Sequence, residues 1–247
     1  MFVRIFPPCA PRVHGAFFLR ATSAMKITRI EKQQKRPARR NIYADGEFLI
    51  GVGAETLIRF GLRTGDEINA ATIRSLEQAE ELLSAKNAAL RLLSVRPRAE
   101  REIRDRLREK EFSDHTITEA IDALKAAKLL DDAQFARTYI RNALALKPTG
   151  PLLLKKKLLL LGVEAKVIEE AIAECGGKGT DEAEATRAAS GFLSRASRSK
   201  TQTDARALRE RLIAYLLRRG FRWEVVRVVA LQAMKESAGG EEELSEG

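Results

Sequence analysis

A pattern of apolar residues that occurs three times limits the possible folds of this chain more than any other feature. The pattern is centred on Phe112, Val163 and Phe221, and each centre has apolar residues five and nine positions before it and after it. The flanking residues are Ile103, Leu107, Ile117, Ile121, Leu154, Leu158, Ile168, Ile172, Leu212, Leu216, Val226 and Ala230. The centres lie 51 and 58 residues apart, which is enough chain for about three helices per repeat. Such repeats stack on their neighbours, so the pattern predicts a mainly α fold of three tandem three-helix repeats in an elongated, curved solenoid.

Capping and helix-breaking residues give the helix boundaries. Pro97 is predicted to start the second helix of the first repeat, because proline is tolerated in a first helical turn. Gly162 is predicted to end the second helix of the second repeat in the left-handed conformation, and Gly220 ends that of the third. The predicted N-caps are Ser113 or Asp114 and Asp131 or Asp132. The three repeats are predicted to span residues 69–130, 131–176 and 177–236.

Residues 25–68 have the patterning of a small β-rich module. Strands are predicted over residues 27–30, where the alternation is imperfect, and over residues 40–44 and 47–52. Asp45-Gly46 between the last two is a strong signal for a two-residue hairpin turn. Residues 54–60 are predicted to form one or two helical turns, and residues 32–40 form a basic loop.

The two ends of the chain differ in composition from the rest. Pro7, Pro8 and Pro11 interrupt the apolar stretch that a targeting signal would need. Met25 is therefore interpreted as the natural start, and residues 1–24 as an upstream extension that is disordered or not translated, with a targeting segment as the alternative. Residues 237–247 form an acidic tail with too little apolar surface to fold, and it is predicted to be disordered.

The net charge of +10 and the sequence pI of about 9.8 indicate an anionic partner. Nucleic acid or an acidic protein surface would fit this charge, and the alternative is a solvated surface without a partner. Cys9 and Cys175, with only His14 and His115 beside them, supply neither a disulfide framework nor a metal site. The expected compartment is thus the reducing cytoplasm, and no apolar run is long enough to indicate a membrane partner.

A search for catalytic motifs is negative. Residues 176–180 read Gly-Gly-Lys-Gly-Thr, which lacks the spacing of a phosphate-binding loop. His115 stands in a predicted helix start, and the paired carboxylates of Asp131 and Asp132 are explained by capping. We therefore predict no catalytic residues, no cofactor and no metal, with a metal-dependent nuclease as a minor alternative.

Basic residues in the second helix of each repeat are the best candidates for a binding surface. Aligned along the repeats, they would form a stripe suited to phosphates or to an acidic groove, and the basic loop is a further candidate for contacts. In the first repeat, pairing with acids of the same helix is an equal alternative. The candidates are Lys32, Lys35, Arg36, Arg39, Arg40, Arg96, Arg98, Arg101, Arg104, Lys155, Lys156, Lys157, Arg209, Arg218, Arg219 and Arg222.

Several segments of this sequence resemble the RecX family of bacterial regulatory proteins. They are Arg-Leu-Leu-Ser-Val-Arg-Pro-Arg at 91–98 with Glu102 and Leu107, Leu-Leu-Asp-Asp-Ala-Gln-Phe-Ala at 129–136, Gly150, Leu-Leu-Leu-Leu-Gly-Val at 158–163, and the module segments 41–48 and 60–65. The resemblance covers roughly residues 25–235. The first 24 residues, the acidic tail and the longer loop at 195–203 of the third repeat depart from it.

The resemblance implies a non-enzymatic regulator of the RecA recombinase. Such a protein binds the groove of the RecA–DNA filament and modulates ATP hydrolysis, strand exchange and filament growth in recombination, DNA repair and the SOS response. Inhibition is the expected direction, and stimulation stays open. DNA, single-stranded within the filament or double-stranded, would be a second partner of a monomeric protein. The alternative is a stand-alone DNA-binding helical-repeat protein.

Overall fold

The computed structural model describes residues 24–176, 180–198 and 204–242, and within this part of the chain it shows an N-terminal sheet followed by helices. The sheet has the strands β1 Met25–Lys32, β2 Arg39–Ala44, β3 Glu47–Gly53 and β4 Glu67–Ile68, in the order β3-β2-β1-β4, with every neighbouring pair antiparallel. A short helix, α1 Ala54–Phe60, follows β3. The predicted module is confirmed as a sheet with a hairpin turn at Asp45 and Gly46, but the sequence did not indicate β4, which is only two residues long.

Nine helices follow in the described residues and form three groups of three. Their bounds are α2 Ala70–Val95, α3 Glu100–Arg108, α4 Asp114–Ala126, α5 Asp132–Leu146, α6 Pro151–Leu160, α7 Ala165–Cys175, α8 Thr180–Ser197, α9 Ala205–Arg218 and α10 Trp223–Glu242. The prediction of a mainly α fold with three-helix repeats and a small N-terminal β module is confirmed. The glycine joint at 177–179, the loop at 199–203 and residues 1–23 and 243–247 lie outside the described residues.

The threefold apolar pattern marks the cores of these groups. All of its members are buried except Phe112 and Ile172, which are half-buried. One core cluster, built from α5, α6 and α7 with Ala99, contains Leu158, and another, built from α8, α9 and α10, contains Leu216. Burying such side chains contributes about 1.5–3 kcal/mol each, so the repeating pattern identifies the residues that stabilise each group.

The spacing of five residues within the pattern has a local cause. In each repeat the residue before the centre has positive φ: 65° at Glu111, 88° at Gly162 and 82° at Gly220. The backbone N–H of the centre then donates to the carbonyl of the leucine five positions earlier, at 3.4, 3.1 and 3.3 Å for Phe112, Val163 and Phe221. This is the Schellman arrangement, in which the residue after the left-handed one also packs on that leucine's turn. Each second helix therefore ends in the same way, and Gly162 and Gly220 end their helices as predicted.

Chain-contact clustering divides the chain into two compact units. Among the described residues, one comprises 24–96 and 104–127, and the other comprises 97–103, 128–176, 180–198 and 204–242. In the first, α2 packs on α4 and on β3, and the sheet core includes Ile27, Ile42 and Leu76. In the second, α5 packs on α7, and α8 packs on α9 and α10.

Two predicted boundaries are wrong. Pro97 does not start α3, which begins at Glu100: the N–H of Ile103 donates to the carbonyl of Ala99, and the carboxylate of Asp132 accepts from the N–H of Glu100. Arg96 before the proline is extended, with φ −162° and ψ 157°, as is usual for a residue that precedes proline. The last helix, α10, extends to Glu242 and so enters the segment 237–247 for which no regular structure was expected.

The buried carboxylate of Glu80 connects α2 to the sheet through hydrogen bonds and an ion pair. The Oε1 atom of Glu80 accepts hydrogen bonds from the backbone N–H of Gly53, at 2.7 Å, and from the hydroxyl of Thr56, and its Oε2 atom is 3.2 Å from Nη2 of Arg39. Glu80 and Thr56 are both buried. A buried charge of this kind is tolerated because all of its partners are present.

Replacing Glu80 with alanine is expected to lower the free energy of unfolding by about 3 kcal/mol, because the N–H of Gly53, the hydroxyl of Thr56 and part of the Arg39 guanidinium lose their acceptor. Urea unfolding followed by circular dichroism measures the change. Glu77→Ala on the same helix is the matched control and should cost less than about 0.5 kcal/mol. Equal midpoints for the two variants would contradict the assigned role of Glu80.

Candidate basic interface

The basic loop between β1 and β2 divides into exposed and structural residues. Lys32, Lys35 and Arg36 are exposed and form no ion pair with any described residue. Arg39 donates to the carbonyl of Gly51 at 2.5 Å and pairs with Glu80, and Arg40 donates to the carbonyl of Pro37 at 2.7 Å. Arg39 and Arg40 therefore shape the loop, and the other three candidates can bind a ligand.

The candidates before and on α3 are mostly engaged in the protein. Arg98 pairs with Glu102 one helical turn later, and both side chains are largely buried. The aliphatic part of Arg101 fills the space beside Gly162, where a Cβ atom would overlap its carbons. Arg104 donates to the hydroxyl of Thr118 at 3.3 Å. Within this group Arg96 and Arg101 are exposed, and Arg96 precedes the helix.

The paired carboxylates of Asp131 and Asp132 are explained by helix capping. Asp131 is the N-cap of α5, and its carboxylate accepts from the backbone N–H of Gln134 at 2.9 Å. Asp132 accepts from the backbone N–H of Glu100 at 2.8 Å and thus caps the start of α3. These two adjacent acids therefore cap the N-termini of two helices, α5 and α3, as expected for carboxylates near the positive end of a helix.

The three lysines of α6 have different environments. Lys155 is 2.5 Å from the carboxylate of Glu169 on α7, and its hydrogen bond and charge lower the pKa of that carboxyl group. This exposed pair adds stability only above the ordinary glutamate pKa and loses it as the pH falls through the lowered value. Lys156 and Lys157 are exposed and have no ion pair within the described residues.

The exposed apolar residues of α6 lie beside these lysines in sequence. Leu159 and Leu160 follow Lys157, and Leu160 is 78% exposed. The buried face of the helix is formed by Pro151, Leu154 and Leu158. The free face of α6 therefore combines two cationic side chains with apolar surface, a composition suited to a protein partner as well as to phosphates.

The candidates of α9 and its turn into α10 also divide into two kinds. Arg209, Arg218 and Arg222 are exposed. Arg219 is half-buried and donates to the carbonyl of Pro148 and, at 3.2 Å, to the hydroxyl of Thr149. Arg219 is therefore a structural residue that holds the α5–α6 loop against the turn.

Eight of the sixteen candidates are exposed and unpaired in the described chain: Lys32, Lys35, Arg36, Lys156, Lys157, Arg209, Arg218 and Arg222. These bases do not recur at equivalent positions of the three repeats. The position that Lys156 occupies in the second repeat is occupied by Asp105 in the first and by Ala214 in the third. Sequence reasoning missed two exposed aromatic residues, Phe48 and Trp223, each about half exposed. The sequence signal that could have identified Trp223 as a surface residue is its position next to Arg222 at the start of a helix.

Searches for other kinds of site give no candidate among the described residues. Within residues 24–176, 180–198 and 204–242, no group of His, Cys, Asp and Glu could hold a metal ion. His115 is exposed and lies 3.6 Å from Glu119, one turn along α4, as expected for a helix surface. In the same ranges no helix is both long and apolar enough to cross a membrane.

The fold and the exposed bases define a helical-repeat protein with a small N-terminal sheet and basic surfaces. The sequence matches the models of the regulatory protein RecX N-terminal domain over residues 25–69, the RecX first three-helix domain over 85–124 and the RecX second three-helix domain over 131–172. The chain belongs to the RecX family.

Individual relatives agree with this assignment. The regulatory protein RecX of Listeria monocytogenes serotype 4b (strain CLIP80459) is 31% identical over 215 residues, covering 86% of this chain and 77% of the relative. That of Clostridium botulinum (strain Eklund 17B / Type B) is 27% identical, covering 85% and 96%. A crystal structure of regulatory protein RecX matches with a TM-score of 0.67 and 25% identity over 83% of this chain and 98% of that one.

Proposed function

We propose that this protein binds the RecA–DNA filament and restrains its ATPase, strand exchange and growth, without catalysing a reaction of its own. Family membership carries this proposal, because RecX proteins are regulatory proteins. The exposed bases support it, since a RecA–DNA filament presents both phosphates and protein surface. The protein would act as a monomer in the cytoplasm, during recombination, DNA repair and the SOS response.

Two separate basic surfaces would make the contacts. One is the loop with Lys32, Lys35 and Arg36, and the other is α6 with Lys156 and Lys157. The loop has no large apolar side chain and suits phosphates, whereas α6 adds exposed leucines and suits a protein surface. We therefore assign DNA to the loop and the recombinase to α6.

The RecA ATPase on single-stranded DNA tests the proposal. Adding the protein is expected to lower the rate of ATP hydrolysis, and filament binding measured in parallel should occur at the same protein concentrations. If the ATPase rate and the binding both stay unchanged, the proposal is wrong.

A stand-alone DNA-binding protein is the second candidate, favoured by the net charge of +10. Equal affinity for bare DNA and for RecA-coated DNA would support it over the filament regulator. DNA cleavage that depends on a divalent metal would instead indicate a nuclease.

A further inference from the structure

Two β-bulges flank Tyr43 in the centre of the N-terminal sheet. On β1 the register shifts between Ile27 and Arg29, so Thr28 is an extra residue opposite β2. On β3, Ile42 faces Ile50 while Tyr43 faces Phe48, so Leu49 is extra. Bulges of this kind reverse the face to which the next side chain points.

The bulges move two side chains from the core face to the solvent face. Phe48, Ile50 and Val52 alternate in sequence, and a regular strand would bury all three on one side. Ile50 and Val52 are buried as this alternation requires, whereas Phe48 is 54% exposed. Arg29 is turned outwards in the same way, although Ile27 two residues earlier is fully buried.

The result is a row of three side chains across three strands. The guanidinium carbon of Arg29 lies 4.2 Å from the centre of the Tyr43 ring, and the Tyr43 and Phe48 rings are 5.9 Å apart, edge to face at 78°. The hydroxyl of Thr28 fixes the first bulge by donating to the carbonyl of Tyr43 at 3.2 Å and accepting from the N–H of Gly46 at 3.1 Å. The row therefore has a defined geometry, and the side chains at its two ends, Phe48 and Arg29, are each about half exposed to solvent.

A polar strip continues this face towards the basic loop. The side-chain amide of Gln33 donates to that of Asn41 at 2.7 Å, next to Gly51, where a Cβ atom would come within 2.8 Å of the Gln33 nitrogen. Beyond the strip lie Lys35 and Arg36, eight and seven residues before Tyr43 along the chain. Arg39 and Tyr43 are four residues apart on β2, about 13 Å at the usual rise per residue.

We propose that this face binds single-stranded nucleic acid, with a base stacked on Phe48 at one end of the row, Arg29 at the other end, and phosphates held by Lys35 and Arg36. An exposed aromatic ring, a planar cation and a basic groove are the groups that bind single strands irrespective of sequence. This inference deepens the proposed function, because it names the nucleic-acid form and the residues of the N-terminal module that contact it.

The charges around the row favour nucleic acid over a protein partner. No acid occurs between Lys32 and Ala44. Glu31, on the same face, is paired with Arg29 at 3.4 Å, and the carboxylate of Asp45 accepts from the backbone N–H of Lys26 at 3.1 Å. Phe48 is the single large apolar side chain exposed on the described part of this face, which is too little for a protein interface.

The test measures binding of the full chain to a fluorescent oligothymidine by anisotropy, without any other protein. Phe48→Leu is expected to weaken binding about tenfold, because a leucine keeps the apolar area and loses the ring face. Phe48→Tyr should retain the affinity. Ile58→Ala on α1, which removes another exposed apolar side chain of the same unit, is the control and should have no effect.

An oligonucleotide with abasic positions separates stacking from phosphate contacts. It should bind the unmodified protein about tenfold more weakly, and Phe48→Leu should then cause little additional loss. Exchanging Lys35 and Arg36 for alanine should instead reduce the dependence of log affinity on log salt by about 1.4, whereas Phe48→Leu leaves that slope unchanged.

The inference is overturned if Phe48→Leu binds like the Ile58→Ala control, or if it loses as much affinity on abasic as on normal DNA. Circular dichroism melts of the variants show whether the sheet is intact. Because the assay contains DNA alone, its outcome is independent of the filament ATPase: either the stacking site or the filament regulation can fail while the other holds.

Discussion

Replacing Gly150 with alanine is expected to lower the free energy of unfolding by about 3 kcal/mol or more, which corresponds to a decrease in Tm of roughly 6–12 °C. Gly150 has φ −76° and ψ 159°, a conformation open to any residue, so backbone strain does not enter. The cost is steric, because a Cβ atom there would overlap the carbonyl group of Gly220 and the nitrogen of Phe221. Backbone atoms cannot move aside as the end of a side chain can.

The hydrogen bonds at this contact explain why the overlap cannot be avoided cheaply. The N–H of Gly150 donates to the carbonyl of Arg219 at 2.9 Å, and the N–H of Leu152 donates to that of Gly220 at 3.0 Å. Moving the loop before α6 away from the turn before α10 would break both bonds and the Arg219 contacts to Pro148 and Thr149. The α5–α6 loop would then lose its attachment to the third repeat.

Thermal unfolding by calorimetry measures the effect, and Gly191→Ala is the matched control. Gly191 lies in α8, where an added Cβ would come no closer than 3.8 Å to Arg195. The same substitution there should be neutral or raise the stability by up to about 1 kcal/mol, because alanine favours a helix interior. A Gly150→Ala protein as stable as the control would show that the close contact contributes little.

The positions of the helices could be predicted from the sequence because their signals are local. The Schellman ends at Gly162 and Gly220 and the caps at Ser113 and Asp131 each depend on a few neighbouring residues. The start of α3 was misplaced at Pro97 because it depends on a residue far along the chain. A first-turn proline is allowed at Pro97, but the carboxylate of Asp132 accepts from the N–H of Glu100, and α3 begins there.

The roles of individual basic residues could not be predicted, because their partners lie far along the chain. Arg219 contacts Pro148 across 71 residues, and Asp132 caps Glu100 across 32. A count of bases on a helix cannot separate Arg219 from the exposed Arg218 next to it. The exposure of Phe48 could not be predicted for another reason. The alternation of apolar residues in its strand predicts that Phe48 is buried, and only the bulge at Leu49 turns its side chain to the solvent face.

Exchanging Lys156 and Lys157 for glutamate is expected to weaken binding to RecA filaments roughly 10- to 100-fold, because each site changes from attraction to repulsion at an anionic surface. Lys155 is left in place because it pairs with Glu169 on α7, and exchanging it would remove that ion pair as well as an exposed charge. The two exchanged side chains are exposed, so the melting temperature should stay within a few degrees of the unmodified protein. Sedimentation with filaments at several salt concentrations measures the affinity.

The control is the double variant Lys128→Glu and Lys235→Glu, which changes the net charge by the same amount at two other exposed lysines. General attraction between a basic protein and an anionic filament would weaken both double variants equally, and this result would contradict a specific role for α6. A loss confined to the α6 variant and a smaller salt dependence of its remaining binding would place the contact on that helix. Leu160→Ser, which keeps every charge and removes exposed apolar surface, then distinguishes the partners of α6: a recombinase surface needs the leucine, whereas phosphates do not.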